Sequence, residues 1–262
     1  MMLELRHVSK TFNRGTPDSH KALDDVTLHV QAGDFISVIG ANGAGKSTLF
    51  NAIAGSFITD EGTLLLDGRD VTLLPEYKRA REIGRLFQDP MRGTAPGMTV
   101  GENLALAAGH GGWLSSVSRK DKELFRERLA LLDMGLEDRM DQPVGLLSGG
   151  QRQALTLTMA IFNPPKLLLL DEHTAALDPG TAEKVLALTE QIVREHQLTC
   201  MMITHNMRSA LALGNRTITM YRGRIVMDVS GEERARLTVP DLLERFRQTA
   251  GQELDNDRML LI

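Results

Sequence analysis

The apolar and polar positions of the chain change rhythm several times, and each change predicts a different element. Leu3-Glu4-Leu5-Arg6-His7-Val8 alternates, the period-two pattern of a strand with one buried face. Residues 11–19, with Gly15 and Pro17, read as a loop, and Val26-Thr27-Leu28-His29-Val30 alternates again. After a turn at Gly33, Phe35-Ile36-Ser37-Val38-Ile39 is a more apolar strand. A glycine-rich turn follows, then a helical run from Ser47 to about Ala54. Leu64-Leu65-Leu66 is a short strand closed by Asp67-Gly68, a strong turn dipeptide. The segment up to Asp70 thus sets antiparallel, edge-like strands around one strand–loop–helix unit.

The middle of the chain has a different rhythm. Strands are hard to find between Val100 and Asp133, where Gly109, Gly111 and Gly112 interrupt two helical stretches. Residues 120–134 put Phe125, Leu129 and Leu132 on one face and charges elsewhere, as in a helix packed along one stripe. We read residues 89–162 as a mostly helical subdomain inserted into an α/β core. The core resumes at Lys166-Leu167-Leu168-Leu169-Leu170-Asp171, an unbroken apolar run that suits a strand covered on both faces of a parallel sheet. Residues 181–196 read as helix, 199–204 as a second buried strand and 207–213 as helix. Residues 216–220 and 224–229 bracket Tyr221-Arg222-Gly223 as a hairpin. Beyond Ser230 the chain is polar and helical, with a loose acidic end around Asp255-Asn256-Asp257. No internal repeat is visible.

Length and composition change this picture only by exclusion. A chain of 262 residues buries a core for one large domain, or one domain with a modest subdomain. A formal net charge of −4 gives no support to a nucleic-acid partner. The single cysteine, Cys200, excludes an internal disulfide and any zinc site built on several thiolates. No run reaches the roughly 18 apolar residues of a membrane helix. The start of the chain, with Glu4, Arg6 and His7, holds no apolar signal core. The expectation is a cytosolic chain for which any transport role requires separate membrane partners.

Candidate chemistry begins at Gly40-Ala41-Asn42-Gly43-Ala44-Gly45-Lys46-Ser47-Thr48, a complete G-x-x-x-x-G-K-S phosphate-binding loop between a predicted strand and a predicted helix. Its glycines let successive N–H groups face an anion at the positive end of the helix. Lys46 can then reach the β- and γ-phosphates of a nucleotide, and the Ser47 hydroxyl can ligate Mg²⁺; the loop alone leaves kinases, GTPases and motors open. A second constellation closes the buried strand. Asp171 at its carboxyl end can hold Mg²⁺ through water, and Glu172 beside it can polarise an attacking water. An ordinary strand exit also ends in acids, and it is the pairing with Lys46 that favours chemistry.

Leu147-Ser148-Gly149-Gly150-Gln151, followed by Arg152-Gln153, matches the signature of ATP-binding-cassette proteins, and nearly the whole chain resembles that family in motif order. Gln88, in Phe87-Gln88-Asp89-Pro90, matches the glutamine loop; Ala176-Leu177-Asp178 matches the D-loop; His205, after Met202-Ile203-Thr204, matches the switch histidine. Phe12 falls where an aromatic residue stacks on adenine. The resemblance implies a P-loop NTPase with a RecA-like α/β core, an N-terminal antiparallel β subdomain and the inserted helical subdomain. Residues 1–230 would form the ATPase domain, and residues 231–262 a short helical extension. It implies Glu172, His205 and Gln88 as catalytic residues. The nucleotide would be held by Phe12, Asn42, Gly43, Gly45, Lys46, Ser47 and Thr48. Mg²⁺ would be held by Ser47, Gln88 and Asp171. Ser148, Gly149, Gly150 and Gln151 would cap the γ-phosphate held by a second copy of the chain. Plainer readings stay open beside these: Ser148 as a helix N-cap, His205 as a packing histidine, Gln88 as a loop residue and Phe12 as core.

Two positions depart from the family pattern. His173 stands where proline or a small residue is usual, and can titrate near neutral pH; Ala175 stands where serine is more usual. A single cassette of this length, without coiled-coil or zinc insertions, resembles a bacterial importer subunit. Such a subunit is a homodimer on the cytoplasmic face of the membrane, bound to two integral permease chains and fed by a solute-binding protein or lipoprotein. An exporter or lipid-extraction ATPase, or a soluble non-transport ATPase, is the alternative. Residues 99–104 resemble the region where such permeases dock, with Val100 and Leu104 as its apolar face.

Overall fold

The computed structural model describes residues 1–109 and 117–250, so the acidic end expected at 255–257, and Gly111 and Gly112, lie outside the described residues. The chain opens with β1 (Leu3–Phe12), β2 (His20–Val30) and β3 (Phe35–Gly40), then α1 (Lys46–Ala54), β4 (Glu61–Leu66), β5 (Arg69–Asp70), α2 (Glu76–Arg79) and β6 (Ile83–Leu86). Helices α3 (Val100–Ala107), α4 (Arg119–Ala130) and α5 (Gly149–Ile161) follow. The chain continues with β7 (Leu167–Asp171), α6 (Pro179–Glu195), β8 (Thr199–Ile203), α7 (Met207–Ala212), β9 (Arg216–Tyr221), β10 (Arg224–Ser230), α8 (Gly231–Arg236) and α9 (Val239–Ala250).

The strands divide into two sheets, ordered β2-β1-β4-β5 and β10-β9-β3-β8-β7-β6. The first is antiparallel, and its register explains the alternation at the start of the chain. Leu3 and Leu5 lie opposite Val30 and Leu28 on one side and Leu66 and Leu64 on the other. All six are buried. Alternation stops at Val8 because His7 and Asp25 adopt left-handed backbone conformations (φ 52° and 55°) and the register slips there. Pairing then resumes as far as Phe12 with His20, so the strand runs into the predicted loop.

In the second sheet β9, β3, β8, β7 and β6 run parallel, with β10 antiparallel at the edge. Every residue of β7 and β8 is buried, as an unbroken apolar run between two layers requires. This is a P-loop, RecA-like core with an N-terminal antiparallel sheet and an inserted helical subdomain.

That subdomain has its own core, in which Val100, Leu104, Phe125, Leu129 and Leu155 are fully buried. Capping boxes start its helices at Thr99 with Glu102 and at Ser118 with Asp121. The burial corrects one expectation. Val100 and Leu104 are 0% exposed and belong to this interior, because the apolar stripe of α3 turns toward α4 and α5. They cannot form a docking face; Leu106, 51% exposed, lies on the outer side of the same helix.

Candidate active site

The glycine-rich loop joins β3 to α1 at the carboxyl end of the parallel sheet. Gly45 caps α1 in the left-handed region (φ 100°), and a side chain there would come within 2.5 Å of the Ala22 carbonyl oxygen. Only glycine fits. Lys46, 5% exposed, donates from Nζ to the carbonyl oxygens of Gly40 (2.7 Å) and Ala41 (2.9 Å). Burial pushes its amine below the ordinary lysine value, against the pull of Glu172 and Asp171. The cleft around it is lined by Phe12, His20 and Ala22, by the loop with Asn42, Gly43, Gly45, Ser47 and Thr48, and by Glu172. Phe12 is 37% exposed and rests edge-on against Phe57, with ring centroids 5.3 Å apart.

Three separated segments meet on the Glu172 carboxylate. Glu172 follows β7 in a left-handed conformation (φ 46°). His205, just beyond β8, lies with Nε2 2.6 Å from Glu172 Oε1. Gln88, just beyond β6, donates from Nε2 to Glu172 Oε2 at 3.2 Å. The bond to His205 holds the glutamic carboxyl below its usual range. Such a carboxylate stays ionised and can accept a hydrogen bond from a water.

Its neighbour Asp171 is shifted the other way, pushed up first by burial and then by the Glu172 charge. Ser47 Oγ donates to Asp171 Oδ1 at 3.4 Å. Asp171 and the Ser47 hydroxyl stand together as oxygen donors of the kind a hard divalent cation takes, and the Gln88 amide oxygen would be a third. Among the described residues no group of three or more acidic, histidine or cysteine side chains could hold a metal. Mg²⁺ needs only one or two protein oxygens of this kind, because waters and substrate phosphates are its other ligands. A cation there would also favour the ionised form of an acid that burial disfavours.

The signature turn lies elsewhere. Ser148 is the N-cap of α5: its Oγ accepts from the Gln151 N–H at 3.3 Å, while Gln151 Oε1 accepts from the Ser148 N–H at 3.2 Å. The plain N-cap reading of Ser148 is therefore correct as far as one chain goes. Gln151 Nε2 also donates to the Met134 carbonyl at 3.1 Å, anchoring the turn. A side chain on Gly150 would come within 2.2 Å of Thr181, so the start of α5 is pressed against the start of α6. There Asp178, the last D-loop residue, caps α6 by accepting from the Thr181 N–H at 3.0 Å. None of Ser148, Gly149, Gly150 or Gln151 lines the cleft around Lys46.

His173 does not titrate near neutrality. It is 3% exposed, its Nε2 lies 3.2 Å from Thr189 Oγ1 on α6, and burial lowers its pKa to about 4. Two site residues escape sequence reasoning. His20 reaches the cleft only through its pairing with Phe12 across the hairpin loop. Arg85 on β6 holds Asn51 Oδ1 at 2.6 Å and stands 4.0 Å from Asp171. Nothing in the local pattern around either residue marks it.

The profile of the ABC transporter family matches residues 23–175. A tyrosine transport ATP-binding protein of Clostridioides difficile is 42% identical over 247 residues, covering 94% of this chain and 98% of that protein. The methionine import ATP-binding protein MetN of Lactobacillus delbrueckii subsp. bulgaricus is 36% identical over 234 residues, 86% of this chain and 64% of that protein. Among solved structures, the dimeric ATP-binding cassette MJ0796, in a post-hydrolysis state bound to ADP and Pi, has a TM-score of 0.76 at 28% identity, covering 87% of this chain and 98% of that one. The ADP conformation of MJ1267, an ATP-binding cassette of an ABC transporter, has a TM-score of 0.77 at 28% identity, covering 94% and 98%.

Proposed function

The chain belongs to the ABC transporter family of ATP-binding proteins, and from that premise we propose that it powers solute import as a homodimeric nucleotide-binding subunit seated on membrane permeases. ATP binding and hydrolysis coupled to transport are properties of the chain as a member of this family. No helix among its described residues is long and apolar enough to cross a membrane, and in this reading separate permease chains supply the path for solute. The names of its relatives, a tyrosine and a methionine transporter subunit, favour an amino-acid-like solute.

In the mechanism we assign, the loop N–H groups and Lys46 bind the β- and γ-phosphates, and Phe12 offers its exposed face to the base. Ser47, Asp171 and Gln88 would hold Mg²⁺, which supplies neutralisation of phosphate-oxygen charge. Glu172 accepts a hydrogen bond from the attacking water and draws off its proton as the bond to phosphorus forms and ADP leaves. His205, whose Nε2–H rests on Glu172 Oε1, would turn that N–H toward a γ-phosphate oxygen when nucleotide is bound. Ser148 and the Gly149-Gly150 N–H groups cap the γ-phosphate held by the partner copy.

The observation that carries this reading is the Glu172 carboxylate held between His205 and Gln88 at the edge of the Lys46 cleft. Glu172→Gln tests it. The variant should bind Mg-ATP normally and turn over about 10²–10⁴-fold more slowly, the usual cost of losing a positioned catalytic group. A near-normal steady-state rate would overturn the assignment. For the membrane partner, the subunit should co-purify with a co-expressed permease from detergent-solubilised membranes, its exposed Leu106 side facing that partner. Recovery only as a free dimer argues for a non-transport ATPase.

A further inference from the structure

We propose that the C-terminal helices α8 and α9 brace His205, and that Arg234 and Phe246 are positioning residues for ATP hydrolysis. The proposal rests on the role given to His205 above. It starts from the weakness of the element that carries that residue. His205 lies between the end of β8 and α7, and α7 has six residues, too few to hold itself in water. Its N-terminus is capped by Asn206, whose Oδ1 accepts from the Ser209 N–H at 3.0 Å.

Its other end is held from outside. The last carbonyls of a helix lack partners within it. From α8, Arg234 Nη2 donates to the carbonyl oxygens of Ala210 (3.0 Å), Leu211 (3.1 Å) and Leu213 (2.6 Å). Its Nε donates to Thr217 Oγ1 at 2.9 Å, tying the same group to β9. The cation also sits at the negative end of the helix dipole. These bonds run to three backbone carbonyls and one threonine hydroxyl, so the guanidinium acts here on neutral oxygens.

The side of α7 is held by α9. Leu242, fully buried, joins Ala210 and Ile39 in one apolar cluster, against which Met207 and Leu211 pack. Arg245 Nη1 bonds Glu233 Oε1 at 2.6 Å and fastens α9 to α8. One turn beyond Leu242, Phe246 is 7% exposed and packs edge-on against Tyr221, with centroids 6.0 Å apart.

Phe246 also forms a wall of a small cavity shared by His205, Thr204, Gly40, Met207 and Thr219. Thr219 is buried there, and its hydroxyl makes no hydrogen bond to another protein group across the cavity. An imidazole with room beside it can rotate off Glu172, and Phe246 limits that room. The two helices therefore bear on the 2.6 Å contact between His205 and Glu172, through α7 and through the cavity wall at Phe246.

The test uses the full-length protein with Phe246→Ala, Phe246→Leu and Arg234→Met, each alone and combined with His205→Ala. Turnover, KM for ATP and the thermal midpoint are measured for all. Phe246→Ala and Arg234→Met should lower kcat about tenfold, in the range that small misplacements of a catalytic group cost. KM for ATP should stay within about twofold, because no contact to the phosphate loop is lost. Phe246→Leu should recover most of kcat, and neither substitution should lower kcat further once His205 is alanine. Equal kcat in Phe246→Ala and the wild type, or a tenfold loss that persists in the His205→Ala background, overturns the brace while leaving the active-site assignment intact. Unchanged turnover in His205→Ala alone overturns the assignment itself, and the brace with it. Should Arg234→Met fail to fold, the two Phe246 variants carry the test.

Discussion

His173 and Glu172, neighbours in sequence, have opposite fates. Glu172 turns into the cleft through a left-handed backbone and is kept ionised by His205. His173 turns inward and is kept neutral by burial, its ring against Thr189, whose own hydroxyl donates to the Val185 carbonyl at 2.8 Å. With that hydroxyl proton engaged, the imidazole Nε2 is the donor, which fixes the tautomer. The folded pKa of about 4 lies below the ordinary 6.5. Between those values the unfolded chain binds a proton that the native chain refuses. Stability contributed by neutral His173 is thus complete above pH 6.5 and lost as pH falls toward 4, by on the order of 3 kcal/mol. His173→Gln keeps a donor for Thr189 and removes the titration. Its thermal midpoint should fall less steeply than the wild type's across that window; parallel curves would show that acid unfolding starts elsewhere. Sequence could raise the question of this histidine's charge but not answer it, since burial is set by α6, packed on from a distance.

Among the elements, those with a sustained rhythm were legible and those without one were not. β7, β8 and the helices at 119–130 and 179–195 follow from their apolar patterns. β6 does not, because Ile83-Gly84-Arg85-Leu86 is too short to alternate and carries a glycine and an arginine. It is a strand because β7 pairs with it in parallel register. β5 and α2 are missed for the same reason of length. The helix α1 shows a second kind of hidden support. Arg79, 2% exposed, donates to the carbonyls of Ala52 and Ile53 in its last turn, and to those of Leu74 and Thr72. A buried guanidinium bonded to four backbone carbonyls ties the end of the P-loop helix to the β5–α2 connection. Arg79→Met leaves several buried carbonyls unpaired and should lower the unfolding free energy in urea by about 2–4 kcal/mol. A change below about 0.5 kcal/mol would mean that the loop closes over the gap.

On the scale of the whole molecule, the family motifs fixed the order of the functional parts, but spacing along the chain could not say which of them meet. The Lys46 cleft and the Ser148 turn do not meet within one chain, as head-to-tail pairing of two copies requires. With Cys200→Ser as background, Asn42→Cys and Gly149→Cys on separate chains should crosslink between molecules when ATP is added. An intramolecular product from the double variant would refute the pairing. The strand order has a further consequence, in the time it takes to make the protein. The antiparallel sheet is complete once Asp70 has been synthesised, and the helical subdomain draws mainly on neighbouring residues. β3, however, sits between β8 and β9, with Phe35 beside Cys200 and Ile36 beside Arg216. At about 5–20 residues per second, the ribosome leaves β3 without either neighbour for on the order of 10–30 s. Throughout that interval an apolar strand with two open edges is a target for other nascent chains, so this chain should depend on holding chaperones during its own synthesis.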